Sequence, residues 1–479
     1  MKAQPSFNNL VRGLLAFIVL LALTVAVKPR ATSSQTATKR QRPNVIIILA
    51  DDLGWVDLSI YGHPRFRTPN IDRMAAEGVR LTNFYSTAPN CTPSRAALQT
   101  GRYQFRSKLS GVLNPSSKTG IADSEVTLGE AFKAAGYMTT VLGKWHLGHL
   151  PQFLPTRHGY DSYFGIPYSN DMVPVSLYEG DRVIEEKVQQ ETLTRRYTER
   201  AVEFIRTNRE RPFFLYLPHT MPHKPLAVSP EFQGLSKAGL YGDTLAQLDW
   251  SVGQILKTLK DLRLDRNTLV IFTSDNGPWY GGSTGGLRGM KNTTFDGGIR
   301  VPLIVRFPGR IRAKQTSNEL AMMADLYPTV LMAAGVSIPQ DRILDGKNIM
   351  PLLAKKGRSP HEAIFTFNRG QVSTVRAGKW KLHTSVADPN TFEAKVYKPE
   401  DTFVDPVAPD GIRIIAPVKG QAHGSEFPGV QGGDKATEFT LFDLEADRSE
   451  QHNVADKYPE VVERLRGYFL QMKKQLNPN

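Results

Sequence analysis

Four short stretches carry the residues with which this sequence could do chemistry: Asp51-Asp52, Lys144-Trp145-His146, the pair His219 and His223, and Asp275-Asn276. Each follows an apolar run of the kind expected of a buried strand. Asp51, Asp52, Asp275 and Asn276 together offer oxygen donors for a hard divalent ion, Ca²⁺ or Mg²⁺, because crowded carboxylates repel one another unless a cation holds them. Arg95, Lys144, Lys291 and the histidines supply more positive charge than a metal site needs, which implies an anion bound beside the metal. Taken singly, each stretch has a plain structural reading: Asp-Asp as a turn or cap, Asp-Asn-Gly as a turn, histidine as a satisfied interior residue. The convergence of four strand ends is what favours a site.

Cys91 is the only cysteine in 479 residues, so it has no disulfide partner within the chain. It opens a predicted helix, where free N–H groups favour negative charge. A thiolate nucleophile is the routine reading of such a cysteine. A soft thiolate beside a hard cation is nevertheless a poor chemical match.

The elements that must position these residues are legible as apolar runs. NVIIILA (44–50), VRLTNFY (79–85), YMTTVLG (137–143), PFFLYLP (212–218), TLVIFTS (268–274) and VPLIVRF (301–307) read as buried strands. Between them, residues 70–77, 93–100, 125–135, 193–207, 245–262 and 325–334 carry apolar side chains at helical spacing. Alternation of this kind predicts an α/β fold with a mainly parallel central sheet flanked by helices, and ligands collecting beyond the carboxyl ends of its strands. From about residue 355 the pattern shifts to short strands (AIFTFN, WKLHTS, TEFTLFDL) and a closing amphipathic helix from Tyr458 to Leu476. The expected division is a catalytic α/β domain over 44–355 and a smaller C-terminal α+β subdomain, with a small antiparallel sheet, over 356–479.

The N-terminus bears on location. Lys2 and Arg12 precede an apolar run from Leu14 to Val27, after which the chain turns polar. Residues 1–30 therefore read as a signal peptide, or as an anchor if uncleaved, followed by a polar linker over 31–43. An exported protein, periplasmic, secreted or lumenal, is expected, with membrane contact only through an uncleaved N-terminal segment. Composition is that of a globular chain, 40% hydrophobic and 22% charged. The formal charge of +14 favours polyanionic partners. No compact basic run with interleaved aromatics or zinc-ligand spacing points to nucleic acid.

At Cys91 the sequence resembles a known family. C-T-P-S-R matches the C-x-P-S-R signature of the formylglycine-dependent type I sulfatases, arylsulfatase-A-like members of the alkaline-phosphatase-like superfamily, and A-A-L-Q-T-G-R continues it. The likeness extends, in order, through N-V-I-I-I-L-A-D-D-L-G, T-P-N-I-D-R-M-A-A-E-G, G-K-W-H-L-G, G-I-P-Y-S-N-D, P-H-K-P, S-D-N-G and G-M-K-N-T-T-F-D-G-G. It ends in F-D-L-E-A-D-R-S-E-Q-H-N, similar to the family's L-Y-D-L-x-x-D-P-x-E-x-x-N.

The resemblance implies that Cys91 is oxidised to Cα-formylglycine by a maturation enzyme, which removes the mismatch between thiolate and hard ion. It further implies that Asp51, Asp52, Asp275 and Asn276, with modified Cys91, hold Ca²⁺, with Mg²⁺ as the alternative. Lys144 and Lys291 match the lysines on sulfate oxygens, Arg95 the arginine supporting the formylglycine, and Ser169 a sulfate-contacting serine. His146 matches the histidine hydrogen-bonded to the formylglycine hydroxyl, a place from which it could act as the base that frees sulfate, and His223 the histidine near the leaving oxygen. His219 matches no such role and reads as structural. The implied activity is hydrolysis of aryl or carbohydrate sulfate esters to alcohol and inorganic sulfate.

Two other motifs are read down. The sequons at Asn90 and Asn292 border the expected site, where glycans would block substrate, so both asparagines are taken as structural. The Gly-rich stretch at 281–291 lacks a G-K-[ST] ending and reads as close backbone approach to the anion. Competing functions are a phosphodiesterase or phosphonate monoester hydrolase on the same fold, and a non-catalytic polyanion-binding protein.

Overall fold

A computed structural model describes residues 42–63, 67–279, 282–355, 357–387 and 433–476, together with Met1 and the backbone of short strands at 402–405 and 414–417. The chain divides into two units, residues 1–41 and 42–479. Of the first only Met1 is described, so the expected signal peptide and most of the linker lie outside the described residues. Among the described residues, no helix is long and apolar enough to cross a membrane.

The second unit is built on a sheet of strands β1 (Asn44–Ala50), β2 (Val79–Leu81), β4 (Met138–Leu142), β5 (Ser162–Gly165), β6 (Leu177–Glu179), β7 (Arg182–Glu185), β8 (Phe213–Pro218), β9 (Thr268–Ser274), β10 (Leu303–Arg306) and β11 (Gln315–Ser317), with β3 (Phe84–Tyr85) apart from it. Its order is β11-β2-β10-β9-β1-β8-β4-β5-β6-β7. The five strands from β9 to β5 run parallel. β10 is antiparallel to both its neighbours, and β6 and β7 finish the far edge as an antiparallel pair.

Parallel strands need cover on both faces, and β1 shows how the sequence meets that need. All seven of its residues are buried. Ile46, Ile48 and Ala50 join one core, which takes Leu193, Tyr197, Ala201 and Ile205 from helix Leu193–Thr207 and Leu245, Leu248, Val252 and Ile255 from helix Gly239–Asp261. Val45, Ile47 and Leu49 join the other, against helices Cys91–Thr100, Leu128–Ala134 and Leu326–Ala334. Each buried Ile or Leu side chain contributes roughly 1.5–3 kcal/mol. Period-2 alternation inside an all-apolar run thus divides one strand between two cores.

The expected run 79–85 breaks into two strands. Thr82 Oγ1 donates to Asn318 Oδ1 at 2.6 Å and Asn83 Nδ2 to the Asn318 carbonyl at 2.6 Å, which turns β3 out of the sheet to pair with Ala321–Met322. The later region forms a four-stranded antiparallel sheet from Ile364–Asn368, Gln371–Ala377, Trp380–His383 and Leu441–Asp443. Helix Pro459–Leu476 buries Val461, Leu465, Phe469 and Met472 in a core shared with Val375 and Leu382.

Candidate active site

The residues singled out in the sequence come together at the carboxyl ends of β9, β1, β8 and β4. Asp51 and Asp52 follow β1, Asp275 and Asn276 follow β9, and Lys144 and His146 lie just beyond β4. Gly143 makes that last exit possible: its φ is +136°, and a Cβ there would stand 1.8 Å from the Pro218 carbonyl oxygen. Asp52 and His146 adopt φ of 62° and 60°, left-handed values uncommon for residues other than glycine and found where a chain must aim a side chain.

Helix Cys91–Thr100 is buried at all ten positions and closes on Gly101 in the left-handed conformation. At its first turn, Cys91 Sγ lies 3.4 Å from Asp51 Oδ1 and 3.6 Å from Lys144 Nζ. Lys144 Nζ also reaches Asp51 Oδ2 at 2.5 Å and Ser169 Oγ at 3.1 Å. Arg95 donates from Nε to Asp275 Oδ2 at 2.9 Å and from Nη1 to the Lys144 carbonyl at 2.7 Å, fastening three of the converging segments.

Around Asp52 the second half of the site assembles. Lys291 Nζ stands 2.8 Å from its Oδ2, Asn276 Nδ2 donates to its Oδ1 at 2.7 Å, and its backbone N–H donates to Asp275 Oδ1 at 3.2 Å. His223 Nε2 lies 3.6 Å from Asp52 Oδ2 and 3.4 Å from Ser169 Oγ, while its Nδ1 donates to the Lys224 carbonyl at 2.6 Å. Lys291 is delivered by a loop whose N–H groups at 291 and 292 bond to the carbonyls of Pro278 and Pro89, each at 2.8 Å. Asn292 therefore touches the segment leading into Cys91, and Asn90 is the residue before that helix; both are half-buried.

His146 and His219 are both buried, with an Nδ1 that has no hydrogen-bond partner among the described residues, and they differ in what Nε2 meets. The His146 ring donates from Nε2 to the Leu113 carbonyl at 2.9 Å, and its buried Nδ1 has no hydrogen-bond partner. His219 Nε2 is bonded to Ser251 Oγ at 3.2 Å, and burial lowers its pKa to about 3.

Electrostatics set the carboxylates against one another. Burial raises Asp51, but Lys144, His223, Arg95 and Lys291 outweigh it and hold the group well below its usual range. For Asp52, burial and the neighbouring Asp51 prevail over Lys291 and raise the pKa. Asp275 is raised to about 7 by burial and Asp51, against Arg95. Burial pushes the Cys91 thiol well above its usual value despite Lys144 and Lys291. Two of the three acids thus stay above their usual range even with Arg95, Lys144 and Lys291 beside them, a deficit in the stabilisation of their ionised forms.

A divalent ion fits that deficit. Ligand atoms of Asp51, Asp52, Cys91 and His223 lie within 4.8 Å of one another, and Asp275 and Asn276 adjoin them through Asp52. Among the described residues nothing donates a hydrogen bond to the buried Oδ1 of Asn276, which leaves it free to act as a ligand oxygen. Carboxylate and amide oxygens are the donors a hard ion takes.

The sequence did not single out Thr92, whose hydroxyl donates to the His146 carbonyl at 3.0 Å and accepts from Leu113 N–H at 3.2 Å. It occupies the one open position of C-x-P-S-R, which carries no signal of its own.

A mainly parallel α/β sheet with buried acids, lysines and a helix-start residue at its strand ends suits an enzyme that acts on anionic esters. Comparison with known proteins specifies which. The family model named Sulfatase matches residues 43–336, and a model for the C-terminal part of N-sulphoglucosamine sulphohydrolase matches 290–398. Human N-acetylgalactosamine-6-sulfatase is 41% identical over 374 residues, 72% of each chain. Bovine arylsulfatase A is 38% identical over 473 residues, covering 91% of this chain and 87% of its own. A solved sulfatase from Pseudoalteromonas sp. superposes with a TM-score of 0.76 at 26% identity over 92% of each chain. The chain belongs to the sulfatase family, and its activity is hydrolysis of sulfate esters.

Proposed function

We propose that this sulfatase acts on a sulfated carbohydrate, that Cys91 works as Cα-formylglycine, and that Ca²⁺, or Mg²⁺ in its place, is held by Asp51, Asp52, Asp275, Asn276 and residue 91. The observation that carries the reading is the state of Cys91. A fully buried thiol whose pKa is pushed up is a poor thiolate nucleophile, yet it stands within 3.6 Å of Asp51 and Lys144 at the centre of the site. An oxygen in place of sulfur resolves that contradiction. When present, the ion supplies Lewis acidity to a sulfate oxygen, and hydrated formylglycine supplies a nucleophilic oxygen plus a second hydroxyl whose deprotonation releases sulfate by C–O cleavage.

The remaining work falls to the chain's own residues. Lys144 and Ser169, 3.1 Å apart, bind sulfate oxygens from one side, and Lys291 binds them from the Asp52 side. Arg95, fixed on Asp275 and the Lys144 carbonyl, orients the 91 side chain. His146 holds Nε2–H on Leu113 and so offers the Nδ1 lone pair as base for the second half of the cycle. Burial and Lys291 keep His223 neutral in the free site. The negative charge of an entering sulfate favours protonation at Nε2, from which His223 can pass a proton to the leaving oxygen; Lys291 is the alternative donor.

The carbohydrate assignment rests on the similarity to N-acetylgalactosamine-6-sulfatase and on the charge of +14. We further assign the catalytic residues to a domain over 44–355 with 356–479 as its subdomain, and the protein to an exported compartment. Trypsin should release LTNFYSTAPNCTPSR with the mass of formylglycine at 91, and nitrophenyl sulfate should be turned over in preference to nitrophenyl phosphate esters. Fully active protein carrying only cysteine overturns the mechanism.

A further inference from the structure

Thr92 closes a ring of hydrogen bonds around the second-half base. Its hydroxyl donates to the main-chain carbonyl of His146 at 3.0 Å and accepts the N–H of Leu113 at 3.2 Å. Leu113 in turn accepts Nε2–H of the His146 ring through its carbonyl at 2.9 Å. Thr92 is fully buried and His146 is 1% exposed, so bulk water does not reach either bond. A carbonyl only accepts, so a neutral His146 bonded to Leu113 must carry its proton on Nε2 and leave the lone pair on Nδ1. That Nδ1 is the buried ring atom without a partner.

Leu113 needs this tether because its surroundings are irregular chain. Residues 109–126 form no helix or strand, and the Thr92 hydroxyl is the partner of the Leu113 N–H. The His146 backbone is in the left-handed region, where a non-glycine residue needs external support. Thr92 supplies that support from the residue next to the nucleophilic position, so the 91 side chain and its base are registered on one helix turn.

We propose that Thr92 is a positioning residue for the second half of the reaction: its hydroxyl ties Leu113 to the His146 backbone and thereby fixes the His146 tautomer whose Nδ1 removes the formylglycine hydroxyl proton as sulfate departs. This rests on the base role given to His146 above. Serine at 92 keeps both bonds; valine, nearly the same shape, keeps neither.

The test separates the two halves of turnover with nitrophenyl sulfate in rapid mixing, each enzyme normalised to its formylglycine content because Thr92 lies within C-T-P-S-R. Thr92→Val should release nitrophenol in a burst stoichiometric with enzyme and then turn over about tenfold or more slowly, a modest share of what an acid–base group contributes. Intact-mass measurement should show the sulfated enzyme during that slow phase. Thr92→Ser should restore kcat to within about threefold and abolish the burst. His146→Ala should show the burst most strongly. A His146→Ala enzyme without a burst overturns the base assignment and this proposal with it, whereas a His146→Ala burst without one for Thr92→Val overturns the proposal alone. Should Thr92→Val fail to fold, ¹⁵N spectra of histidine-labelled parent enzyme decide the matter, with the His146 signal assigned by its loss in His146→Gln. An unprotonated Nδ1 supports the proposal and a protonated Nδ1 beside a bare Nε2 overturns it.

Discussion

Two clusters of buried charge lie on either side of the loop that delivers Lys291, and they are built on opposite plans. On one side, Asp51, Asp52 and Asp275 crowd together, and two of the three have raised pKa values. On the other, Lys381 Nζ sits 2.8 Å from both Asp296 Oδ1 and Glu450 Oε1, Tyr85 donates to Asp296 Oδ2 at 2.8 Å, and the Asp296 N–H donates to Glu450 Oε2 at 2.6 Å. Burial raises Asp296, but Lys381, Arg300 and Arg376 bring it down to about 2. Burial is equal in the two clusters, so burial does not mark function. What differs is the outcome: around Asp296 the cations prevail over burial, whereas Asp52 and Asp275 stay raised although each has a cation within 2.9 Å. The second cluster is complete as a fold contact; the first is the one for which we propose a divalent ion.

This contrast can be broken or sharpened by substitution. The largest effect is expected for Cys91→Ala, which should lose roughly 10⁴-fold or more in kcat while thermal denaturation changes little. Asp296→Asn should do the reverse: leaving Lys381 short of a partner should cost about 3–5 kcal/mol in urea unfolding, with much of the specific activity of the folded fraction kept. An Asp296→Asn protein as stable as the parent would erase the distinction. Next in size is His223→Ala, expected to slow alkyl or sugar sulfates by about 10²-fold and nitrophenyl sulfate much less, because only a basic leaving oxygen needs a proton. Equal slowing of both substrates, measured where sulfuryl transfer limits the rate, would reduce His223 to a sulfate-positioning group.

The smallest effect concerns pH in chelator-treated protein. With its folded pKa raised to about 7, Asp275 contributes stability that is full below its unfolded value, about 4, and is lost as pH rises through 7. Metal-free protein should therefore melt lower at pH 8 than at pH 5, and restoring Ca²⁺ should remove that slope. Asp275→Asn should flatten it and raise the metal-free melting temperature at pH 8 by about 2 °C while abolishing activity. A slope that survives in Asp275→Asn would assign it to other groups.

Most of the sheet was legible because its strands are apolar throughout and end in polar residues of unusual type. The exits from β1, β4 and β9 could be read directly, and the site residues at 51, 52, 144, 146, 275 and 276 with them. Short edge strands such as β6 and β7 were not, since three or four residues with mixed exposure carry no period. Asp296 and Glu450 stood inside quoted motifs without a role; their partner Lys381 lies far away in sequence, and nothing local announces such a pairing. Thr92 was hidden for the same reason, its work depending on where Leu113 and His146 return in space.

Glu450 also sets an order of events. Arg288 Nη1 bonds to its carbonyl at 2.7 Å, Ser449 Oγ to the Gly286 carbonyl at 2.6 Å, and Arg448 Nη2 to the Gly285 carbonyl at 2.9 Å, so residues 448–450 fasten the Lys291 loop from behind. They are made about 360 residues after Cys91. At ~5–20 residues per second, a ribosome needs roughly 20–70 s to cover that distance. Through that interval the Lys291 loop lacks these fastenings, which leaves the segment around position 91 open to the modification we propose. Once the final strand and helix dock, the same residue is sealed at 2% exposure. On the proposed conversion of Cys91, maturation becomes a race against synthesis of the C-terminal part, and faster translation or faster docking should leave more chains carrying unconverted cysteine.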